Sequence, residues 1–135
     1  MDTDATVAAL RSSAGASAEL LRRARRGEIT LAASVSPFME YEAVCTRPEH
    51  GLAAGLTVRQ VNIFLDALAQ MVKPVELHFL WRPQLRDPAD ELVLEAAMNA
   101  TADALLTFTL KHFSKVAEHF QLSIAQPGPF LRSLQ

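Results

Sequence analysis

Three acids, Asp2, Glu40 and Asp90, each stand at the start or end of an apolar segment in a chain that alternates strand-like and helix-like runs. Carboxylates converging on one edge of a parallel sheet repel one another, and their pKa values rise unless a cation offsets the charge. Mg²⁺ or Mn²⁺, which favour oxygen ligands, would do so, and the chemistry would be metal-assisted hydrolysis. A fourth segment end, Leu105-Leu106-Thr107-Phe108-Thr109, has a hydroxyl where such a cluster wants an acid. Thr109 and Thr3 are the candidate hydroxyl contacts. Each acid also has a structural reading. Asp90 follows Asp87 and Pro88 as in an acidic first helical turn, Glu40 suits a solvated helix face, and Asp2 lies beside a terminus.

The elements that must position these groups follow from local pattern. Gly15 to Arg26 reads as a helix with basic Arg22, Arg23, Arg25 and Arg26 in its last turn and Gly27 as its stop. Those arginines read as a solvated cap, with phosphate contact the less favoured use. Ile29 to Ala33 is a short strand, and Ser36-Pro37 an N-cap with proline at the first helical position, opening a helix through Glu40, Tyr41 and Val44. Residues 48–56, with Gly51 and Gly55, read as a loop. Thr57-Val58-Arg59-Gln60 is a capping box, and Val61, Phe64, Leu65, Leu68 and Met71 then recur at helical spacing. Val75 to Leu80 is strand-like, Asp87-Pro88 opens a helix, and Ala104 to Phe108 is a strand. A helix carries Phe113, Val116, Ala117 and Phe120, Leu122 to Ala125 is the last strand, and Pro127-Gly128-Pro129 leads into Phe130, Leu131 and Leu134. Strands separated by helices pair through crossovers, so the expected class is three-layer α/β/α with a mainly parallel sheet, in one domain over residues 1–135.

Bulk composition narrows the partners. Of 135 residues, 50% are hydrophobic, enough for one real core. Thirteen basic and fifteen acidic residues give a net charge of −2, so no global positive field draws the chain to polyanions or to a membrane. The single cysteine, Cys45, forms no internal disulfide, no apolar run approaches a bilayer span, and Asp2 and Asp4 stand where a signal peptide wants positive charge. A cytoplasmic protein is the expectation. His112 and His119, seven apart on one helix, read as surface residues, and His78, Trp81 and Cys45 as core or near-core. A Rossmann-type nucleotide-binding protein is disfavoured by the lack of a glycine-rich phosphate loop after a strand.

Taken in order, Asp2-Thr3-Asp4, Ala9-Leu10-Arg11-Ser12, Gly15-Ala16-Ser17, Ser36-Pro37-Phe38-Met39-Glu40-Tyr41, Arg47-Pro48, Arg86-Asp87-Pro88-Ala89-Asp90-Glu91, Ala102-Asp103-Ala104-Leu105-Leu106-Thr107-Phe108 and the closing Pro127 to Leu134 resemble the PIN-domain proteins. Among these the chain is similar to the prokaryotic VapC-like toxin components of toxin-antitoxin systems. The resemblance implies a parallel five-stranded sheet between helices and a metal-dependent endoribonuclease. It carries over Asp2 as the first-strand aspartate, Glu40 as the acid of the second strand-helix unit and Asp90 as the acid opening the later helix, with one or two Mg²⁺ or Mn²⁺ ions. It also implies RNA as substrate, an antitoxin protein as partner, and homodimerisation.

Two departures from the family pattern carry consequences. Thr109 stands where the family has aspartate or asparagine, so metal affinity should be lower. Only Met1 precedes Asp2, where the family has a hydrophobic central strand. Lacking about four such residues forfeits burials of roughly 1.5 to 3 kcal/mol each and leaves strand backbone unpaired. The expectation is a first strand truncated or missing, because the sequence starts too late, because Thr6 to Leu10 slides into the slot, or because the chain is a decayed relative. The alternative function is then a catalytically impaired PIN-fold module that binds an antitoxin or RNA without cleavage.

Overall fold

A computed structural model describes residues 1–80 and 83–135. In chain order the described elements are α1 (Thr3–Arg11), α2 (Ala16–Arg25), β1 (Leu31–Ala33), α3 (Val35–Cys45), α4 (Pro48–Ala54), α5 (Val58–Met71), β2 (Val72–Pro74), α6 (Pro88–Asn99), β3 (Ala104–Leu106), α7 (Leu110–Phe120), β4 (Ser123–Ala125) and α8 (Pro127–Ser133). The class is α/β, helix-rich, with short parallel strands.

Local chemistry sets most boundaries. Thr57 Oγ1 accepts from the Gln60 backbone N–H and Gln60 Oε1 accepts from the Thr57 N–H, closing the capping box that starts α5. Asp87 caps α6 by accepting from the Ala89 N–H at 2.9 Å, with Pro88 at the first helical position. Gly27, at φ +76°, ends the turn that follows α2 as expected.

Four expectations are corrected. The helix carrying Glu40 begins at Val35 after Ser34, not after Ser36, because β1 ends at Ala33 and Ser34 is already the last extended residue. Glu40 therefore lies in the second turn of α3. Residues 48–56 hold a short helix, α4, with Pro48 opening it and Gly55 at φ +67° closing it, so the proline and glycine read as loop formers are helix boundaries. The strand expected over Val75 to Leu80 forms at Val72–Pro74 instead, directly on the end of α5. Only the Val75 N–H, donating to Ala33 O, extends the pairing, since β1 offers just three residues. Beyond it, the backbone N–H groups of His78 and Phe79 donate to the Asn99 side chain rather than to a ladder. His78 is exposed, Cys45 is fully buried, and Trp81 lies outside the described residues.

The strands bear out the expected mainly parallel α/β fold with its first strand missing: the described residues form four strands, in two parallel pairs, β1–β2 and β3–β4, where the resemblance implies five in one sheet. The start of the chain is helix α1, so Thr6 to Leu10 does not take up the strand slot. The core divides accordingly. Leu31 and Ala33 of β1 pack with Ala9, Ala18, Leu21, Tyr41 and Leu68, and Met1 lies against this group. Leu105 of β3 packs with Val93, Leu94, Phe113, Val116 and Leu122. Helix α6 touches both β1 and β3 and spans the seam between the pairs. No single described helix is long and apolar enough to cross a membrane.

Candidate functional site

The acids gather at this seam, around the start of α1. The Asp2 backbone N–H donates to Leu106 O at 2.7 Å, which lays Asp2 alongside the carboxyl end of β3. The Tyr41 hydroxyl donates to Met1 O and fixes the same residues from the side of α3. Asp2 is then the N-cap of α1, with Oδ1 accepting from the Thr3 N–H at 2.7 Å. A carboxylate at a helix N-terminus also meets the positive end of the helix dipole.

Thr107, fully buried one residue beyond β3, is the hub. Its Oγ1 lies 2.9 Å from Asp2 Oδ2, 3.3 Å from Asp4 Oδ2 and 3.0 Å from Thr109 Oγ1, and accepts from the Thr109 N–H at 3.1 Å. One hydroxyl has one proton to donate, so it serves a single carboxylate at a time and leaves the other's charge unanswered. Asp4 is held from a second side by the Phe108 N–H at 2.9 Å. Glu40 Oε2 accepts from Thr3 Oγ1 at 2.7 Å, which ties α3 to the turn that carries Asp2 and Asp4. Asp90, in the first turn of α6, pairs through Oδ2 with His112 Nδ1 of α7 at 3.0 Å.

The electrostatics follow the geometry. Asp2 is 7% exposed, and its carboxyl is pushed up to about 6, first by burial and then by the neighbouring charge of Asp4; the Thr107 hydroxyl and Thr3 N–H oppose the shift, and Asp90 adds slightly to it. Asp90 is also raised, by burial first and Asp87 second, against the pull of His112, with a smaller push from Asp4. Asp4 thus acts on both other aspartates. Negative charge accumulates here with no lysine or arginine ion pair among the described residues to offset it.

Of the residues singled out from sequence, Asp2, Asp90 and Thr109 meet around Asp4 and Thr107, and Glu40 joins through Thr3. Asp4 and Thr107 were not among them, and His112, read from sequence as a surface residue, is exposed and pairs with Asp90. Thr107 could have been found as the first residue past a buried strand end; His112 had no sequence cue, since its partner lies 22 residues away. The donor chemistry fits a hard divalent cation, because the carboxylates and hydroxyls at the seam offer oxygen and no lysine or arginine among the described residues pairs with Asp2 or Asp4. The spacing is not closed around an ion: among the described residues no three His, Cys, Asp or Glu side chains are placed to hold one metal. Glu40 and Asp90 are each bonded through one carboxylate oxygen, to Thr3 and His112, which leaves the other oxygen of each for a ligand.

No curated protein and no solved structure matches the chain. The family model described as the PIN domain matches residues 1–110, which takes in α1 through β3 and every acid of the seam. On that match, spanning most of its length, the chain belongs to the PIN-domain family.

Proposed function

We propose that the chain is a metal-dependent endoribonuclease of PIN type, the toxin of a toxin-antitoxin pair, with Asp2, Glu40 and Asp90 as metal ligands and Thr109 as a neutral hydroxyl contact. The observation that carries this reading is the meeting of Asp2 and Asp4 on the buried Thr107 hydroxyl, with Asp90 within electrostatic reach of both. Such an arrangement is destabilising by itself and reads as a site built for a cation. Bound Mg²⁺ or Mn²⁺ would lower the pKa of a water, orient it toward an RNA phosphodiester and stabilise the leaving oxygen.

The chain's own residues contribute position and charge. Thr107 keeps the Asp2 and Asp4 carboxylates on one hydroxyl, and the Leu106 carbonyl fixes Asp2 to the strand end. His112 holds one oxygen of Asp90. Incubation of the purified protein with Mn²⁺ and single-stranded RNA tests the reading. Cleavage should appear and should fall at least about a hundredfold in Asp90→Asn, toward the upper range for disturbing a metal site. An absence of cleavage, or equal cleavage by Asp90→Asn, defeats it.

A second reading is favoured by Thr109 and by the unclosed spacing of the acids. In it the chain is a PIN-fold module that binds an antitoxin or RNA without cutting. Calorimetric titration with Mn²⁺ separates the two: binding supports the enzyme, and no heat from a folded protein supports the module.

A further inference from the structure

A groove of about 580 Å³ runs from the acid seam along the outer face of α1. Asp4 and Arg11, at opposite ends of α1, line it together with Val7, Ala8, Val44 and His50. We propose that this groove takes the stretch of single-stranded RNA flanking the scissile phosphodiester, with Arg11 as the contact to a phosphate up to about three nucleotides along the strand. The proposal rests on the nuclease reading of the seam and names what that seam alone cannot supply.

Charge is the first argument. Three aspartates at the seam repel a polyanion, and the whole chain is net negative, so a strand can be held there only by cations placed nearby. The arginine cluster at the end of α2 does not serve here: Arg22, Arg23 and Arg26 are paired with Glu19 and Glu28, and Arg25 does not line the groove. Arg11 is exposed, opens onto the groove, and has no acid within ion-pair distance among the described residues. His50 also lines the groove.

Length is the second argument. Asp4 and Arg11 are seven residues apart on one helix, about 10 Å at 1.5 Å per residue. At the roughly 3.4 Å per nucleotide of a duplex strand, and with fewer nucleotides for a more extended single strand, Arg11 would meet a phosphate up to about three nucleotides from one positioned at the seam. The wall between them is apolar, which suits bases and sugars and offers no base-edge reading. The groove therefore predicts backbone-driven binding with little sequence preference.

Binding of a fluorescent oligouridylate to the full chain, followed by anisotropy in EDTA so that no cleavage intervenes, tests this. Arg11→Ala should weaken binding about fivefold to tenfold and flatten the slope of log affinity against log salt by about 0.7, the loss of one single-strand phosphate contact. Arg11→Lys should restore most of both, and Arg132→Ala, on α8 away from the groove lining, should match the wild type. Circular dichroism establishes that each variant is folded. Wild-type affinity and slope in Arg11→Ala, an equal loss in Arg132→Ala, or no RNA binding by the wild type would each overturn the groove. The Mn²⁺ cleavage assay is scored separately. Cleavage by the wild type with unchanged Arg11→Ala binding sinks the groove alone, and Arg11-dependent binding without cleavage sinks the nuclease reading alone.

Discussion

Asp2 concentrates the energetics of the site in a single side chain. Its folded pKa of about 6 stands above the ordinary 3.8, so the fold favours the protonated carboxyl. That contribution is fully present below about pH 4 and is lost as pH rises through about 6, on the order of 3 kcal/mol at most. Asp90, raised as well, acts in the same direction. Thermal melts in metal-free buffer should show the wild type losing stability between pH 4 and 6.5 relative to Asp2→Asn. Asparagine keeps an acceptor for the α1 cap and for Thr107 while removing the charge, so the difference between the two proteins isolates this group. A parallel pair of curves would refute the assignment. At Thr109, 3.0 Å from Thr107 Oγ1, Thr109→Asp adds a charged oxygen ligand beside the existing aspartates. It should tighten Mn²⁺ binding about tenfold or more by calorimetry and lower the melting temperature without metal, the trade expected when another carboxylate joins an uncompensated cluster.

Elements place these residues, and most of them are specified locally. Helix α5 depends on the reciprocal Thr57 and Gln60 bonds, so Thr57→Ala should cost about 1 kcal/mol in urea unfolding with little change in the m-value. A change well under that would mean that Val61, Leu65 and Leu68 pack tightly enough to fix the helix start without its cap. Capping and stop residues made α2, α5 and α6 readable, because a cap answers to partners two or three residues away. Helix α4 and strand β2 were misread for the converse reason. Pro48 and Gly55 fit a loop and a short helix equally well, and the register of β2 was decided by β1, some forty residues earlier, through Leu31 opposite Val72 and Ala33 opposite Pro74.

At the scale of the molecule, two parallel strand pairs with separate core groups meet at a seam bridged by α6 and by residues 1–2. Met1 packs against the β1 side while Asp2 bonds to the end of β3, so the backbone at this point already runs between the pairs. Burial lowers the pKa of the Met1 amino group, which marks an ammonium held where a charge is disfavoured. Fusing four β-branched residues to Met1 should replace that group with a peptide and pair with β3. The melting temperature should rise by several degrees, since each buried aliphatic side chain contributes about 1.5 to 3 kcal/mol. Four serines fused at the same point provide the comparison. If both extensions act alike, the seam does not accept a strand.

The sequence alone determined the α/β class and the positions of the well-capped helices, because each of these is written in neighbours a few residues apart. Tertiary structure alone decided the rest. Thr107 became the hub only when the chain brought it to Asp2, 105 residues away, and His112 became the partner of Asp90 only when α7 packed beside α6. The division of the sheet was likewise settled by which backbone groups found partners across the fold, since a hydrogen-bond ladder needs a strand on each side and local pattern cannot say whether one arrives.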